Sequence, residues 1–105
     1  MLVVPLASGA AVHIGSCARE NSQLTRRAHP QHTWLHLHNR PSAHAVLACA
    51  APTRGDIMAA ASALKERMGC RQRRVPVEYC LVRHVHACAE PGEVEMRKRA
   101  CVVNV

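Results

Sequence analysis

Large aromatic side chains are almost absent from this 105-residue sequence. It contains no phenylalanine, and Trp34 and Tyr79 are its only large rings. A core built from clustered aromatic rings is therefore excluded, and the interior has to be assembled from Val, Leu, Ile, Ala, Met and Cys. We expect Trp34 to anchor that core, because a ring of this size dominates packing wherever it is buried.

Long hydrophobic runs are also missing, since no segment approaches the roughly 20 apolar residues that a membrane-spanning helix needs. The short apolar stretch 2–6 is broken by Pro5, and no basic residue precedes it, which argues against a signal peptide. We therefore expect a cytoplasmic protein with no membrane partner and with its six cysteines reduced. With 49% apolar and 20% charged residues, the chain is expected to fold as a single small domain over residues 1–105.

Signatures of catalysis are lacking as well. The sequence has no Gly-X-Ser-X-Gly elbow, no glycine loop that would cradle phosphates, and no Cys-X-X-Cys pair. Ser42 and His44 are neighbours in sequence, but this proximity alone does not make a nucleophile and base. We expect a protein that is not an enzyme and needs no cofactor.

Acidic residues are few, with 7 Asp and Glu against 14 Lys and Arg and a formal net charge of +7. All of the basic residues are arginines except Lys65 and Lys98. A guanidinium binds phosphate through two parallel hydrogen bonds and stacks on bases, so this composition favours a nucleic-acid partner. An anionic membrane surface is the competing partner, but no basic amphipathic helix or lipidation signal supports it.

The first part of the chain predicts a hairpin followed by a short helix. Residues 2–4 and 11–14 are rich in strand-forming side chains and are separated by a Ser-Gly turn. From Ser16 to Leu24 the sequence becomes polar, which indicates a short helix with Ser16 as its cap and with Ala18 and Leu24 directed inward.

A second hairpin is predicted around the only tryptophan. Residues 33–38 alternate in polarity, which places Trp34, His36 and His38 on one face of a strand. The turn cluster 39–42 follows, and residues 43–50 can return as an antiparallel neighbour.

The remaining elements complete an α+β fold. Apolar residues recur at helical spacing over 57–68, between Asp56 and Gly69, and residues 75–82 with 84–86 alternate as a strand. The last stretch, 94–105, can supply one or two closing strands. The sequence thus predicts a mostly antiparallel sheet with one principal helix packed on it.

Short motifs follow one another in order along nearly the whole chain. The most specific are Thr33-Trp34-Leu35-His36 and Pro41-Ser42-Ala43-His44. The others are Ile14-Gly15, Ala18 to Thr25, Val75-Pro76-Val77-Glu78-Tyr79, Val82-Arg83 and Pro91-Gly92. Together they resemble the NFACT-R domain, an RNA-binding domain of ribosome-associated quality-control factors. Two positions depart from the family pattern, because His32 replaces a usual acidic residue and His38 replaces a usual Lys or Arg.

The resemblance implies a stand-alone RNA-binding module in translation or ribosome-associated quality control. Its expected partners are ribosomal or transfer RNA and, through them, the large ribosomal subunit. The tail-synthesis activity of the larger factors is not implied, because it needs the other domains of those proteins.

The residues predicted to contact RNA fall into two sets. His36, His38, Arg40 and His44 are expected to supply geometry. The basic residues expected to supply affinity are Arg71, Arg73, Arg74, Arg83, Arg97, Lys98 and Arg99. They would form one phosphate-binding surface if the loops around the sheet converge, with the 71–74 loop as the strongest contributor.

Four alternatives remain open at this point. Trp34 can stack on a base instead of filling the core, and His36 with His44 can be a structural pair that pins the hairpin. The His36/His38 and His84/His86 pairs can bind a metal ion if their strands are neighbours. The domain can also be a protein adaptor on a ribonucleoprotein.

Overall fold

Six of the eight strands form one antiparallel sheet in the computed structural model, which describes residues 1–105. The strands are β1 (Leu2–Pro5), β2 (Ala11–Ile14), β3 (Thr33–Leu37), β4 (Ala45–Leu47), β5 (Pro76–Leu81), β6 (Val85–Ala87), β7 (Val94–Met96) and β8 (Cys101–Asn104). The order in the sheet is β1-β2-β4-β3-β5-β8, while β6 and β7 pair separately as a two-stranded ribbon. The predicted α+β class is confirmed.

Both predicted hairpins are present. Strands β1 and β2 pair with Val3 opposite His13, and β3 pairs with β4 with Trp34 opposite Val46. The C-terminal stretch supplies two strands, because β7 joins the ribbon and β8 closes the sheet beside β5.

Because side chains alternate between the two faces along each strand, the buried apolar residues form two clusters on opposite faces of the sheet. Leu35 and Leu37 of β3 lie in the larger cluster with buried residues of α2. Trp34 and Val46 point to the other face and pack with Val82 and Val85. The prediction that Trp34 fills the core is confirmed, since only 1% of its surface is exposed.

Helix α2 (Arg54–Arg67) covers the larger cluster and is the helix that the sequence predicted. Its N-terminus is fixed by a capping box, in which the Thr53 hydroxyl accepts from the Asp56 backbone and the Asp56 carboxylate accepts from the Thr53 backbone. Ala60 and Leu64 are fully buried against the sheet. The helix ends before Gly69, whose φ of +69° favours glycine.

Helix α1 (Ala18–Arg27) corrects two details of the sequence prediction. The capping position belongs to Cys17, which makes no side-chain cap, whereas the Ser16 backbone N–H donates to the Glu20 carboxylate. Ala18 is exposed, whereas Leu24 is half-buried and packs against the Trp34 cluster, as predicted. The fully buried side chains of α1 are polar, and they are Asn21, Ser22 and Thr25.

The predicted strand at 84–86 is also corrected. A 3-10 turn over Val82–His84 ends the run of β5, so β6 leaves the main sheet and pairs with β7. This ribbon and α1 cover the Trp34 face, opposite α2. A helix therefore packs on each face of the sheet, and the longer one, α2, is the predicted principal helix.

No helix in the structure has both the length and the apolar character that crossing a membrane requires. All six cysteines are free thiols.

Candidate nucleic-acid interface

Two of the histidines predicted to contact RNA, His36 and His44, pack their rings against Trp34. The Trp34 and His36 rings are stacked, with centroids 5.5 Å apart and planes at 13°. His44 meets the Trp34 ring edge-on at 5.3 Å. Only 1% of the His44 surface is exposed, the same as for Trp34, so neither side chain can reach RNA in this fold. The prediction of His44 as an RNA contact and the stacking alternative for Trp34 are therefore corrected by burial.

A buried hydroxyl joins these two rings. The Trp34 indole N–H donates to Thr25 Oγ1 at 3.2 Å, and Thr25 Oγ1 lies 2.9 Å from His44 Nδ1. Because an indole can only donate, the hydroxyl accepts from Trp34 and remains free to donate its own proton to a neutral imidazole. Thr25 thus satisfies both rings at once and ties α1 to β3 and to the start of β4.

Neighbouring residues of α1 extend this network. The Asn21 carboxamide oxygen accepts from the His44 backbone N–H at 3.1 Å, and the Ser22 hydroxyl accepts from the Gly92 backbone N–H at 2.7 Å. A Cβ on Gly15 would lie 2.0 Å from Asn21 Oδ1, so only glycine allows this approach. The most specific motifs of the resemblance therefore meet around α1. They hold the chain together, but His44 hydrogen-bonds to α1, whereas the structural-pair alternative paired it with His36.

Burial determines the charge state of His44. Removal from water lowers the pKa of this imidazole to about 4, and the nearby His36 ring contributes to the same shift. His44 is neutral at physiological pH, which matches its acceptance of the Thr25 hydroxyl proton. It supplies no positive charge to a phosphate.

His36 and His38 lie closer to the surface and share one acidic partner. The Glu78 carboxylate is 3.4 Å from His36 Nδ1 and 3.3 Å from His38 Nδ1. His36 Nδ1 also contacts the carbonyl of Leu37. The exposed fractions of the two imidazoles are 21% and 37%. Their contact with RNA stays a prediction, and any phosphate there would meet Glu78 as well.

One group of predicted cations lies where β5 begins, and we call it the 71–74 group. It contains Arg71, Arg73, Arg74 and Arg40. The three loop arginines are exposed, and Arg40 Nη1 lies 4.0 Å from the Cys70 sulfur at the start of the loop. The His38 backbone N–H donates to the Pro76 carbonyl at 3.0 Å, which brings the 39–42 turn to this end of the sheet.

The other predicted cations lie where β5 ends, and we call them the 97–99 group. It contains Arg83, Arg97, Lys98 and Arg99, all exposed. The Arg97 backbone N–H donates to the His84 carbonyl at 2.8 Å, which joins this segment to the 3-10 turn. β5 has six residues and spans roughly 20 Å, so the two groups stay apart. The single converged surface considered from the sequence is therefore divided in two.

Neither group has an acidic partner within the protein. The ion pairs in the structure join the N-terminal amine to Glu20 and the two histidines to Glu78, and none involves a lysine or arginine side chain. None of the eight cations in the two groups therefore has a side-chain carboxylate within 4 Å. Their charge is available to an external anion.

The paired histidines of the metal alternative are not brought together. His36 lies on β3 of the main sheet, whereas His86 lies on β6 of the separate ribbon and His84 belongs to the 3-10 turn. No group of three or more His, Cys, Asp or Glu side chains is arranged to hold a metal ion. The geometry does not support the metal alternative.

Two residue sets escaped the sequence interpretation. The buried polar face of α1, with Asn21, Ser22 and Thr25, could have been suspected only from the absence of an apolar stripe. Tyr79 was named as a motif residue but not as a site residue, although it lines a surface cavity together with members of the 97–99 group.

Comparison with known proteins gives one informative result. Neither protein-family models nor curated proteins match the chain. A solved structure, the C-terminal part of the fibronectin/fibrinogen-binding protein from Streptococcus suis, superimposes with a TM-score of 0.83 at 20% identity. The match covers 98% of this chain and 43% of that one, so our chain spans less than half of it. At this identity the likeness establishes the fold alone.

Proposed function

We propose that this protein is a non-catalytic RNA-binding module that contacts ribosomal or transfer RNA. The observation that carries the proposal is the set of cations without acidic partners. A folded protein that needed charge only for solubility would gain from mixing both signs over its surface. Here seven of the twelve arginines lie near the two ends of β5, and none of the seven has a carboxylate partner.

The placement of the two groups suits an extended anion better than a small one. The 71–74 group and the 97–99 group are separated by the length of β5, roughly 20 Å. A nucleic-acid backbone carries charge continuously over such a distance, so one strand or helix can engage both groups. Arginine is favoured at both ends because its planar guanidinium fits a phosphate with two hydrogen bonds.

The choice of RNA over other polyanions rests on the resemblance of the sequence motifs to NFACT-R. That resemblance also suggests the setting, which is translation or ribosome-associated quality control. We propose that the contribution of the domain is binding and positioning, and that the His36, His38 and Arg40 region provides the geometry.

The test is a set of binding isotherms against transfer RNA and a ribosomal RNA fragment over a range of salt concentrations. The first variant replaces Arg71, Arg73 and Arg74 by alanine, and the second replaces Arg83, Lys98 and Arg99. A matched control removes three exposed arginines outside both groups, namely Arg19, Arg27 and Arg54. We expect the slope of log affinity against log salt to fall by about 2 in each of the first two variants, because about 0.7 counterions are released per contact. The control variant should bind almost as the wild type.

Two outcomes would count against the proposal. If neither RNA binds at low salt, RNA binding itself is wrong. If all three triple variants weaken binding equally, the attraction is a general charge effect without an interface. The Streptococcus suis protein is described as binding fibronectin and fibrinogen, so both should be included as ligands. Salt-insensitive binding to them without RNA binding would favour a protein-binding role.

A further inference from the structure

A surface cavity of about 300 Å³ opens on the face of the sheet that carries α2, beside the N-terminal end of that helix. Its volume lies at the lower end of the range for small-molecule sites and matches one flat ring better than a large ligand. Ile57 of α2 contributes one wall, and Tyr79 and Leu81 of β5 contribute another. Of the residues that line the cavity, only Lys98 and Arg99 at its rim were predicted to contact RNA.

Tyr79 gives this cavity a feature that no other part of the surface has. The chain holds two large aromatic rings, and Trp34 is buried. Tyr79 is only half-buried and therefore offers the one large ring that a ligand can reach. Its hydroxyl makes no hydrogen bond within the protein, so the polar end of the ring is also unengaged. An accessible ring in an apolar cavity is how many proteins hold an unstacked base.

The rim of the cavity is cationic. Lys98 and Arg99 line it, are exposed, and form neither ion pairs nor side-chain hydrogen bonds. No Asp or Glu is among the lining residues. His84 also lies on the rim, and its pKa is lowered by partial burial and by the positive charges of Arg83 and Lys98. An anion would be stabilised at this rim, next to a ring that can stack.

We propose that the cavity accepts one unpaired nucleotide of a single-stranded RNA segment. The base stacks on Tyr79, and the phosphate next to it is bound by Lys98 and Arg99. This inference rests on the proposed function and deepens it, because it assigns base contact to the 97–99 end of the sheet. A base-paired helix would reach the rim with its phosphates but could not place a base inside.

The primary test compares a short oligouridylate with an abasic strand of the same length, which keeps the phosphates and lacks the bases. Wild-type protein should bind the oligouridylate about ten-fold more tightly, since stacking of a base on an aromatic ring contributes about 1–3 kcal/mol. Tyr79→Leu should bind both strands equally, and Tyr79→Phe should keep the preference. If Tyr79→Leu keeps the full preference, the stacking assignment is overturned.

The cavity offers a second readout that needs no substitution at Tyr79. Cys101 lines the cavity and is exposed, whereas Cys17 is equally exposed but lies at the start of α1, outside it. Burial raises the pKa of the third relevant thiol, Cys80, to about 11, with a smaller effect from Glu78, so it should react slowly. Oligouridylate should slow alkylation of Cys101 several-fold and leave Cys17 unchanged, as followed by mass spectrometry. Equal rates at Cys101 with and without RNA would overturn the location, even if Tyr79→Leu fails to fold.

Failure of this inference can be distinguished from failure of the proposed function. If oligouridylate and the abasic strand bind equally to the wild type with a steep salt dependence, RNA binding stands and the nucleotide site is wrong. If neither strand, nor transfer RNA, binds at low salt, the proposed function fails and the site fails with it. If free uridine monophosphate displaces the oligouridylate when the two are at similar concentrations, a free nucleotide is the ligand and the assignment to RNA is overturned.

Discussion

The polar side chains beneath α1 and the cations at the two ends of β5 differ in burial and in whether they have partners within the protein. Thr25 and His44 are buried and find their partners within the chain. Arg71 and Lys98 are exposed and have no acidic partner. A buried polar group without a partner would cost free energy, so the first region has to be internally complete. The second region can stay incomplete because water solvates its charges.

The comparison separates two kinds of residue. Those of the α1 network, including Trp34 and Gly15, hold the domain in shape. Those of the exposed groups are the ones that the proposed function assigns to binding. Substitutions in the first region should therefore act on stability, and substitutions in the second should act on affinity. The following predictions test that division, beginning with the largest expected effect.

Trp34→Ala should lower the free energy of unfolding by about 3–5 kcal/mol, because it leaves a cavity where the smaller core cluster is anchored. Urea denaturation followed by circular dichroism measures the effect. Trp34→Phe is the matched control, and it should cost less because it retains an aromatic ring. A loss below about 1 kcal/mol in Trp34→Ala would show that the cluster does not depend on this ring.

Acid should destabilise the protein through His44. Its folded-state pKa of about 4 lies below the unfolded value near 6.5, so protonation favours the unfolded chain. The contribution is fully present above pH 6.5 and is lost as the pH falls towards 4. At about 1.4 kcal/mol per pKa unit it amounts to about 3 kcal/mol. His44→Gln should be less stable at neutral pH but should show a flatter stability profile between pH 6.5 and 4. An unchanged profile would contradict the buried, neutral imidazole.

Thr25→Val should cost about 1–3 kcal/mol, since it removes the hydroxyl that serves both Trp34 and His44 while keeping the shape of the side chain. Thr25→Ser keeps the hydroxyl and loses one methyl group, so it should cost about 0.8 kcal/mol. Chemical denaturation of the two variants side by side gives the comparison. A valine variant as stable as the serine variant would mean that the network contributes little.

The triple substitution of Arg71, Arg73 and Arg74 by alanine should change the free energy of unfolding by less than about 0.5 kcal/mol per site, because exposed positions without partners rarely matter for stability. The same variant is expected to lose RNA affinity. Thermal unfolding at fixed ionic strength provides the check. A clear loss of stability would place these arginines with the first region and remove the contrast between the two.

Much of the fold could be predicted from local patterns. Alternation around Trp34 defined the two faces of β3, and the apolar spacing between Asp56 and Gly69 defined α2 to within a few residues. These signals are strong because each element has its own periodicity of apolar residues and its own residues that mark where it begins and ends. The 3-10 turn at Val82–His84 could not be predicted, since it interrupts an alternating pattern that continues through it in sequence.

The candidate sites were less accessible to prediction for a different reason. Asn21 and Thr25 look like the solvated side of a helix until the ring of Trp34 is placed beneath them. The basic residues fall into two groups because β8 pairs with β5. Strand order of this kind cannot be predicted from the periodicity of a local segment. The cavity at Tyr79 needs α2, β5 and the segment before β8 to meet, so it exists only at the tertiary level.

The separation of the β6–β7 ribbon from the main sheet has a consequence for motion. An isolated two-stranded ribbon of three-residue strands is marginally stable and depends on what it packs against. Its amides should open to hydrogen exchange in a low-energy local unfolding step, well before those of β3 and β5. Because the Arg97 backbone N–H donates to the His84 carbonyl, in the turn that begins this ribbon, opening of the ribbon should also release the Arg97 amide for exchange.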